Sequence, residues 1–130
     1  MPSQPSSSVL FVGRLPQTLC RGSRSNARDL VIEGIEAEYD RVSQRMKMKG
    51  WHGDLCIIAP DEGGLGLLRR MLQVWRYDCV VISTDLGAVA DGIGFMEALI
   101  NHIQLYAPNT AIAFTGTPEE AVNAAARWVD

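Results

Sequence analysis

Cys79, Val80, Val81 and Ile82 form a continuous apolar run with no alternating polar side chains. Such a run is typical of a strand in a parallel sheet that is buried on both faces. Similar runs occupy residues 9–12, 55–59 and 111–114, and between them apolar side chains recur every three or four residues, as in helices. This alternation predicts an α/β fold in three layers, with helices on both faces of a four-stranded parallel sheet. Right-handed crossovers place the helices on both faces of this sheet. The strand order 2-1-3-4 of a flavodoxin-like or Rossmann-like half is our guess among the orders that remain.

Several residues mark predicted helix ends. Gly50 stands where the first helical stripe ends, and glycine is common just after a helix. Thr117 is expected to cap the last helix, because a proline follows it and Glu120 lies three residues later. Asp61 and Asp91 stand at two other helix starts, where capping is the expected role.

The composition describes one small domain. The chain has 130 residues, a hydrophobic fraction of 47% and a formal net charge of −3. We expect a disordered tail over residues 1–8 and a single α/β domain over residues 9–130. The charge argues against a nucleic-acid partner, and no apolar run has the length of a membrane helix. The cysteines are expected to be free thiols in the cytoplasm, and we expect no cofactor and no metal.

Known motifs of α/β enzymes are incomplete in this chain. Gly13 and Arg14 follow the first strand, where a dinucleotide-binding loop would have its glycine fingerprint, and a Walker loop is missing. Ser83 ends the third strand, where a receiver domain of two-component signalling has its phosphate-accepting aspartate. Gly13 also replaces the nucleophilic cysteine of a low-molecular-weight tyrosine phosphatase. The catalytic residues therefore stay unassigned.

Ligands of such sheets bind beyond the carboxyl ends of the strands. One guanidinium and several hydroxyl and carboxyl groups are expected there: Arg14, Ser83, Thr84, Asp85, Thr115 and Thr117. Arg14 would contact an anionic ligand, and Asp85 would act as a general base if burial makes its carboxylate more basic. All charged residues before Asp29 are arginines, so the loop from Arg14 to Arg28 favours an anion. The alternative is a mobile basic loop that balances an acidic body.

The residue pattern of the third helix predicts self-association, a different function from ligand binding. Only Glu97, Asn101 and Gln104 form a polar strip, and the apolar arc is wider than packing on a sheet requires. Surplus apolar surface indicates contact with another chain. We therefore predict a homodimer built on this helix, with the interface residues Phe95, Leu99, His102, Ile103 and Tyr106.

Short motifs from Tyr39 onward form a family signature. They are Gly50-Trp51, Pro60-Asp61-Glu62, residues 77–82, residues 99–103 with Ala107-Pro108-Asn109, residues 111–114, Thr117-Pro118-Glu119 and Arg127-Trp128. On these residues, roughly two-thirds of the chain resembles a family of small uncharacterised bacterial α/β proteins with no assigned activity. In that family a glycine-rich turn with an arginine follows the third strand, whereas this chain has Ser83-Thr84-Asp85. Its fourth strand ends in a Phe-Asn-Thr sequence, whereas this chain has Phe114-Thr115-Gly116. The resemblance implies the fold and leaves the function open.

Two functions follow from these patterns. The first is a non-catalytic module that associates with itself, which the apolar arc of the third helix and the incomplete motifs favour. The alternative is a protein that binds a small anionic ligand, or an enzyme, with its site at the carboxyl ends of the strands. Convergence of Arg14, Asp85 and Thr115 on one pocket would favour this alternative.

Overall fold

The computed structural model describes residues 7–15 and 26–129, and over residues 26–36 it describes the backbone alone. Within these residues, four strands alternate with four α-helices. They are β1 Ser8–Arg14, α1 Asn26–Met48, β2 His52–Ile58, α2 Glu62–Val74, β3 Cys79–Ser83, α3 Gly92–Tyr106, β4 Ala111–Thr115 and α4 Ala121–Ala126. Two 3₁₀ turns, Thr84–Gly87 and Pro118–Glu120, precede α3 and α4.

The described strands form one parallel sheet in the order β2-β1-β3-β4. This confirms the predicted α/β fold and the strand order 2-1-3-4. The two central strands, β1 and β3, have the most continuous apolar sequences, and all five residues of β3 are buried. The reason is that a central strand has neighbours on both sides and a helical layer on each face.

Alternate side chains of the central strands enter two separate cores. Leu10, Val12, Val80 and Ile82 pack against α2 and α3 on one face. Val9, Phe11 and Val81 pack against α1 and α4 on the other. Helices therefore cover both faces of the sheet, as the three-layer prediction requires.

Gly50 ends α1 as predicted. Its φ of 78° lies in the left-handed region that glycine adopts without strain. The Gly50 N–H donates to the carbonyl of Lys47 at 2.9 Å, and the Trp51 N–H donates to the carbonyl of Met46 at 3.0 Å. This pair of bonds is a Schellman motif, and it turns the buried Trp51 into the core beneath α1.

The predicted caps differ in outcome. Asp61 caps α2, because its Oδ1 accepts from the Gly64 N–H at 2.9 Å. Thr117 makes no side-chain cap, and a 3₁₀ turn separates it from α4. The prediction of a capped α-helix beginning at Thr117 was therefore wrong, because Pro118 and the following residues form a tighter turn first. Asp91 also makes no side-chain cap, and its φ of 61° is left-handed.

Residues 1–6 of the predicted tail lie outside the described residues. Ser8 belongs to β1, one residue before the predicted boundary at Val9, and Ser7 is buried. The Ser7 carbonyl accepts from the His52 N–H at 2.8 Å, so pairing with β2 extends to this point. No helix among the described residues is long and apolar enough to cross a membrane.

Candidate functional site

The strands bring the predicted ligand residues to one end of the sheet. Arg14 ends β1, Ser83 ends β3, and Thr115 ends β4 in direct register with Ser83. Asp85 lies in the 3₁₀ turn after β3. We call Arg14, Ser83, Asp85 and the residues that contact them the carboxyl-end site.

Ser83 and Asp85 form a short side-chain contact. The Ser83 hydroxyl donates to Asp85 Oδ1 at 2.7 Å, and Ser83 itself is buried. Asp85 is exposed. The hypothesis that Asp85 acts as a general base required a buried carboxylate. The exposure of Asp85 does not meet that requirement. Asp85 instead serves as the acceptor that fixes the Ser83 hydroxyl.

Arg14 lies beside the same turn but has weak contacts. Its Nη1 donates to the backbone carbonyl of Asp85 at 3.5 Å, the limit of a hydrogen bond. Its Nε is buried and has no hydrogen-bond partner within the described part of the chain. Among residues whose side chains are described, the ion pair found is His52–Asp54, so none of them neutralises Arg14 at contact distance. The guanidinium is therefore incompletely satisfied.

Tyr39 of α1 completes the carboxyl-end site, and sequence reasoning assigned it only to the apolar stripe of the helix. Its hydroxyl donates to the backbone carbonyl of Arg14 at 3.1 Å. Burial, and then the charges of Asp85 and Glu38, raise the pKa of Tyr39 to about 12. The phenol therefore stays protonated and anchors the end of β1. Its spacing in the stripe could not distinguish a core tyrosine from one whose hydroxyl reaches the site.

The three predicted threonines are less central. Thr115 is buried, and its hydroxyl donates to the Thr117 carbonyl at 2.6 Å. Thr84 and Thr117 are exposed. The structure therefore joins Arg14, Ser83 and Asp85 by hydrogen bonds, whereas Thr115 closes its own turn.

Other residues of the predicted basic loop cannot be placed. Arg21 and Arg24 lie outside the described residues, and Arg28 belongs to the part of α1 for which only the backbone is described. The prediction that this loop favours an anion therefore stays a prediction.

The predicted interface on α3 requires a correction. Leu99 and Ile103 are fully buried, so neither side chain is available at the surface of the chain. Phe95 and Tyr106 are half-buried and pack against the same core. His102 is also half-buried, and its Nδ1 lies 2.9 Å from the Ala98 carbonyl. The apolar arc is wide because α3 contacts α2 as well as the sheet.

A second polar cluster lies at the opposite, amino end of the sheet. The Tyr77 hydroxyl donates to Asp54 Oδ2 at 2.6 Å, and His52 Nε2 lies 3.0 Å from the same oxygen. His52 also stacks on Trp75, with ring centroids 4.1 Å apart and an interplanar angle of 20°. Burial, and then the hydrogen bond to Asp54, raise the pKa of Tyr77.

This cluster lines a groove of about 490 Å³ between β2 and α2, which we call the amino-end groove. Its lining residues are His52, Asp54, Leu67, Arg70, Met71, Val74, Trp75 and Tyr77. The sequence separates β2 from the α2–β3 connection by some twenty residues, so no local pattern indicates that they meet.

The described residues include no group of three or more His, Cys, Asp or Glu side chains that could hold a metal ion. Cys56 and Cys79 are free and buried, and burial raises the pKa of both thiols. The chain matches no family model, no curated protein and no solved structure. The two ends of the sheet are therefore where the geometry of the chain bears on its function.

Proposed function

We propose that the protein binds a small oxyanion, the carboxylate or phosphate group of a small molecule, at the carboxyl-end site. The observation that supports this most is the buried Nε of Arg14, which has no partner within the described residues. A buried donor without an acceptor costs about 1–3 kcal/mol, and more when it is charged. An oxygen supplied by a ligand would remove that cost.

The guanidinium has the right geometry for such a ligand. Its planar N–H groups match two oxygens of a carboxylate or phosphate at once. Within the described residues, Nη1 of Arg14 makes the 3.5 Å contact with the Asp85 carbonyl, which an incoming anion can replace at little cost. The anion would first contact the Nη end of the guanidinium, and the buried Nε could join a bidentate contact only after the groups that cover it move aside.

Neighbouring charge limits the kind of anion. The Asp85 carboxylate is held close to the site by the Ser83 hydroxyl. Its negative charge repels a second anion, and the repulsion grows with the charge of the ligand. We therefore expect a singly charged carboxylate to suit the site at least as well as a doubly charged phosphate.

The proposal is binding without an assigned reaction, because Asp85 is exposed and no other described side chain of the site is placed as a base. Self-association through α3 is not proposed, since two of its five predicted residues belong to the core. Cytoplasmic location remains an expectation from composition.

Isothermal titration with acetate and with inorganic phosphate tests the proposal. We expect saturable binding by the wild type and a loss of about tenfold or more in Arg14→Gln, which corresponds to about 1.4 kcal/mol. Arg14→Lys keeps the charge but loses the planar fork, so an intermediate loss is expected.

Arg45→Gln is the matched control. Nη1 of Arg45 also donates to a backbone carbonyl, that of Glu119 at 2.8 Å, and Glu119 is not one of the residues that define the carboxyl-end site. Equal binding by wild type and Arg14→Gln, or no binding of either anion, would contradict the proposal. A comparison of acetate with phosphate identifies the preferred oxyanion.

A further inference from the structure

β4 forms one edge of the sheet, and the described residues place no strand on its outer side. Flavodoxin-like sheets have the order 2-1-3-4-5, in which a fifth strand pairs with the fourth. The outer side of β4 is therefore a position that this architecture can fill with another strand. A strand at such an edge presents unpaired N–H and C=O groups, which are a template for pairing with another chain.

The pairing with β3 shows which groups of β4 point outward. The Ala111 N–H donates to the Asp78 carbonyl at 3.0 Å, so Ala111 bonds inward, and every second residue after it does the same in a parallel ladder. Ile112 and Phe114 therefore direct their N–H and C=O groups away from the sheet. In agreement, the Phe114 carbonyl accepts from Nη2 of Arg127, a side chain outside the ladder, at 3.4 Å.

This edge has little protection against pairing. Natural sheets protect their edges with charged residues, prolines or bulges. β4 contains no charged residue and no proline, and its five residues pair with β3 without interruption. β2, the opposite edge of the described sheet, contains His52 and Asp54. Within the described residues, β4 is protected by the contact from Arg127, and at 3.4 Å that contact is weak.

Antiparallel pairing of two β4 strands would satisfy the outward groups. A two-fold axis at Ala113 places Ile112 of one protomer opposite Phe114 of its partner, and the axis repeats the pair. Residues opposed in this way exchange both of their N–H···O bonds. Ala113 then faces its own copy at the position without hydrogen bonds, where Cα atoms approach to about 4.5 Å. Its small side chain suits that close approach.

The side chains of β4 suit the same arrangement. Phe114 is 42% exposed although it is large and apolar. Ile112 packs against the core beneath α2 and α3, whereas Ala113 belongs to the core on the other face. Because side chains alternate along a strand, Phe114 lies on the same face as Ile112. In the paired sheet each Phe114 would lie beside Ile112 of the partner, and aromatic side chains opposite β-branched ones stabilise strand pairs.

We propose that a second copy of this chain pairs with β4, so that two four-stranded sheets join into one across a two-fold axis at Ala113. A two-fold interface needs a surface that complements itself, and both the backbone groups and the side chains of β4 do so. An extended peptide from another protein satisfies the backbone groups alone, whereas a second copy also supplies the matching side chains. The proposal is independent of anion binding at the carboxyl-end site.

Sedimentation velocity over a micromolar concentration series tests the proposal. We expect a concentration-dependent dimer in the wild type. In Phe114→Lys the axis places two added charges at the pairing edge, so we expect a dimer dissociation constant raised about tenfold or more. The N–H of residue 114 takes no part in the ladder with β3, and circular dichroism checks that the variant is folded.

Val74→Lys is the matched control. Val74 is an apolar residue that is 82% exposed, and it ends α2, the helix that packs on β2 at the opposite edge of the sheet. The added charge is the same, but it lies far from β4 in the order of the strands. The dimer should be unchanged in this variant.

Amide hydrogen exchange locates the contact in the unmodified protein. The N–H groups of Ala113 and Thr115 bond inward to β3, so they should be protected at every concentration. The N–H groups of Ile112 and Phe114 should exchange fast in dilute protein and become protected as the dimer forms.

Three outcomes would overturn the proposal. A wild type that is monomeric throughout the series has no such interface. A dimer in which the amides of Ile112 and Phe114 gain no protection uses another surface. A dimer weakened equally by Phe114→Lys and Val74→Lys responds to added charge in general and not to a change at the β4 edge.

Discussion

Both ends of the sheet carry charged and polar side chains, but the two groups differ in how completely they are hydrogen-bonded. At the amino end, Asp54 accepts hydrogen bonds from Tyr77 and His52, so its polar groups satisfy one another. At the carboxyl end, the part of the chain that the structure describes gives Arg14 a long contact to the Asp85 carbonyl and no partner for its buried Nε. Satisfied polar groups stabilise the fold, whereas an unsatisfied one is available to a ligand. This difference, rather than residue type, is the reason that we propose a ligand site at the carboxyl end.

The same contrast separates a structural role from a binding role. The satisfied cluster at the amino end holds Trp75 in a fixed position, and the apolar surface beside it is what remains exposed. At the carboxyl end Asp85 is exposed, whereas Arg14 is partly buried. Each end can therefore be tested without disturbing the other.

The largest effect is expected at the tightly packed turn from β2 to α2. A Cβ on Gly64 would overlap with the backbone carbonyl oxygen of Ala59, which cannot move aside cheaply. We expect Gly64→Ala to lower the free energy of unfolding by about 2–3 kcal/mol, as measured by urea denaturation. Gly66→Ala is the control, because a Cβ added at Gly66 would meet nothing within 4 Å among the described residues outside its own helix backbone. It should stabilise the helix by up to about 1 kcal/mol, and equal effects of the two changes would contradict the packing argument.

The two tyrosines compare the ends directly. Tyr77→Phe removes the 2.6 Å hydrogen bond to a carboxylate, and we expect a loss of about 2 kcal/mol in unfolding free energy. Tyr39→Phe removes a 3.1 Å bond to a backbone carbonyl, so a loss of about 1 kcal/mol is expected. Urea denaturation of both variants measures the difference. A larger loss in Tyr39→Phe would reverse the assignment of the satisfied cluster to the amino end.

Removal of the charge of Asp85 should affect binding more than folding. In Asp85→Asn the amide oxygen can still accept from Ser83, and the repulsion of an anion disappears. We expect acetate or phosphate to bind about fivefold more tightly, in line with roughly 1 kcal/mol for charges in contact in water. Isothermal titration checks this. Weaker binding in the variant would show that the carboxylate contributes to the ligand contact instead of opposing it.

The smallest effect is expected at alkaline pH. The pKa of Tyr39 is raised from 10.0 to about 12, chiefly by burial, so the folded state keeps a proton that the unfolded chain has lost. The resulting stabilisation is complete below pH 10 and disappears as the pH rises towards 12. The melting temperature should therefore fall less steeply over this interval in Tyr39→Phe than in the wild type. Parallel curves by circular dichroism would contradict this.

The fold was predictable because a continuous apolar run, such as residues 79–82, indicates a strand that is buried on both faces. A strand that is apolar on both faces has few alternatives to the centre of a parallel sheet. The apolar arc of α3 was less informative about its contacts. A helical wheel shows how much of the helix surface is apolar, but not which neighbour covers it. Leu99 and Ile103 were therefore assigned to an interface although the sheet buries them.

The candidate site was predictable in part for a similar reason. Arg14, Ser83 and Asp85 follow from the rule that parallel strands end together. Tyr39 does not, since its role depends on a hydrogen bond to a residue 25 positions away. The exposure of Val74 depends on where α2 ends and on what packs beside it, and the local sequence predicts neither.

The Arg14 Nε–H proton gives the most direct test of the carboxyl-end site. A ¹H–¹⁵N spectrum of the arginine side chains, with the Arg14 signal assigned through Arg14→Lys, can be followed while acetate or phosphate is added. We predict a saturable shift of the Arg14 signal, with the Arg45 signal unchanged as the internal reference. An Arg14 Nε–H signal that does not move at any concentration of either anion would contradict the account.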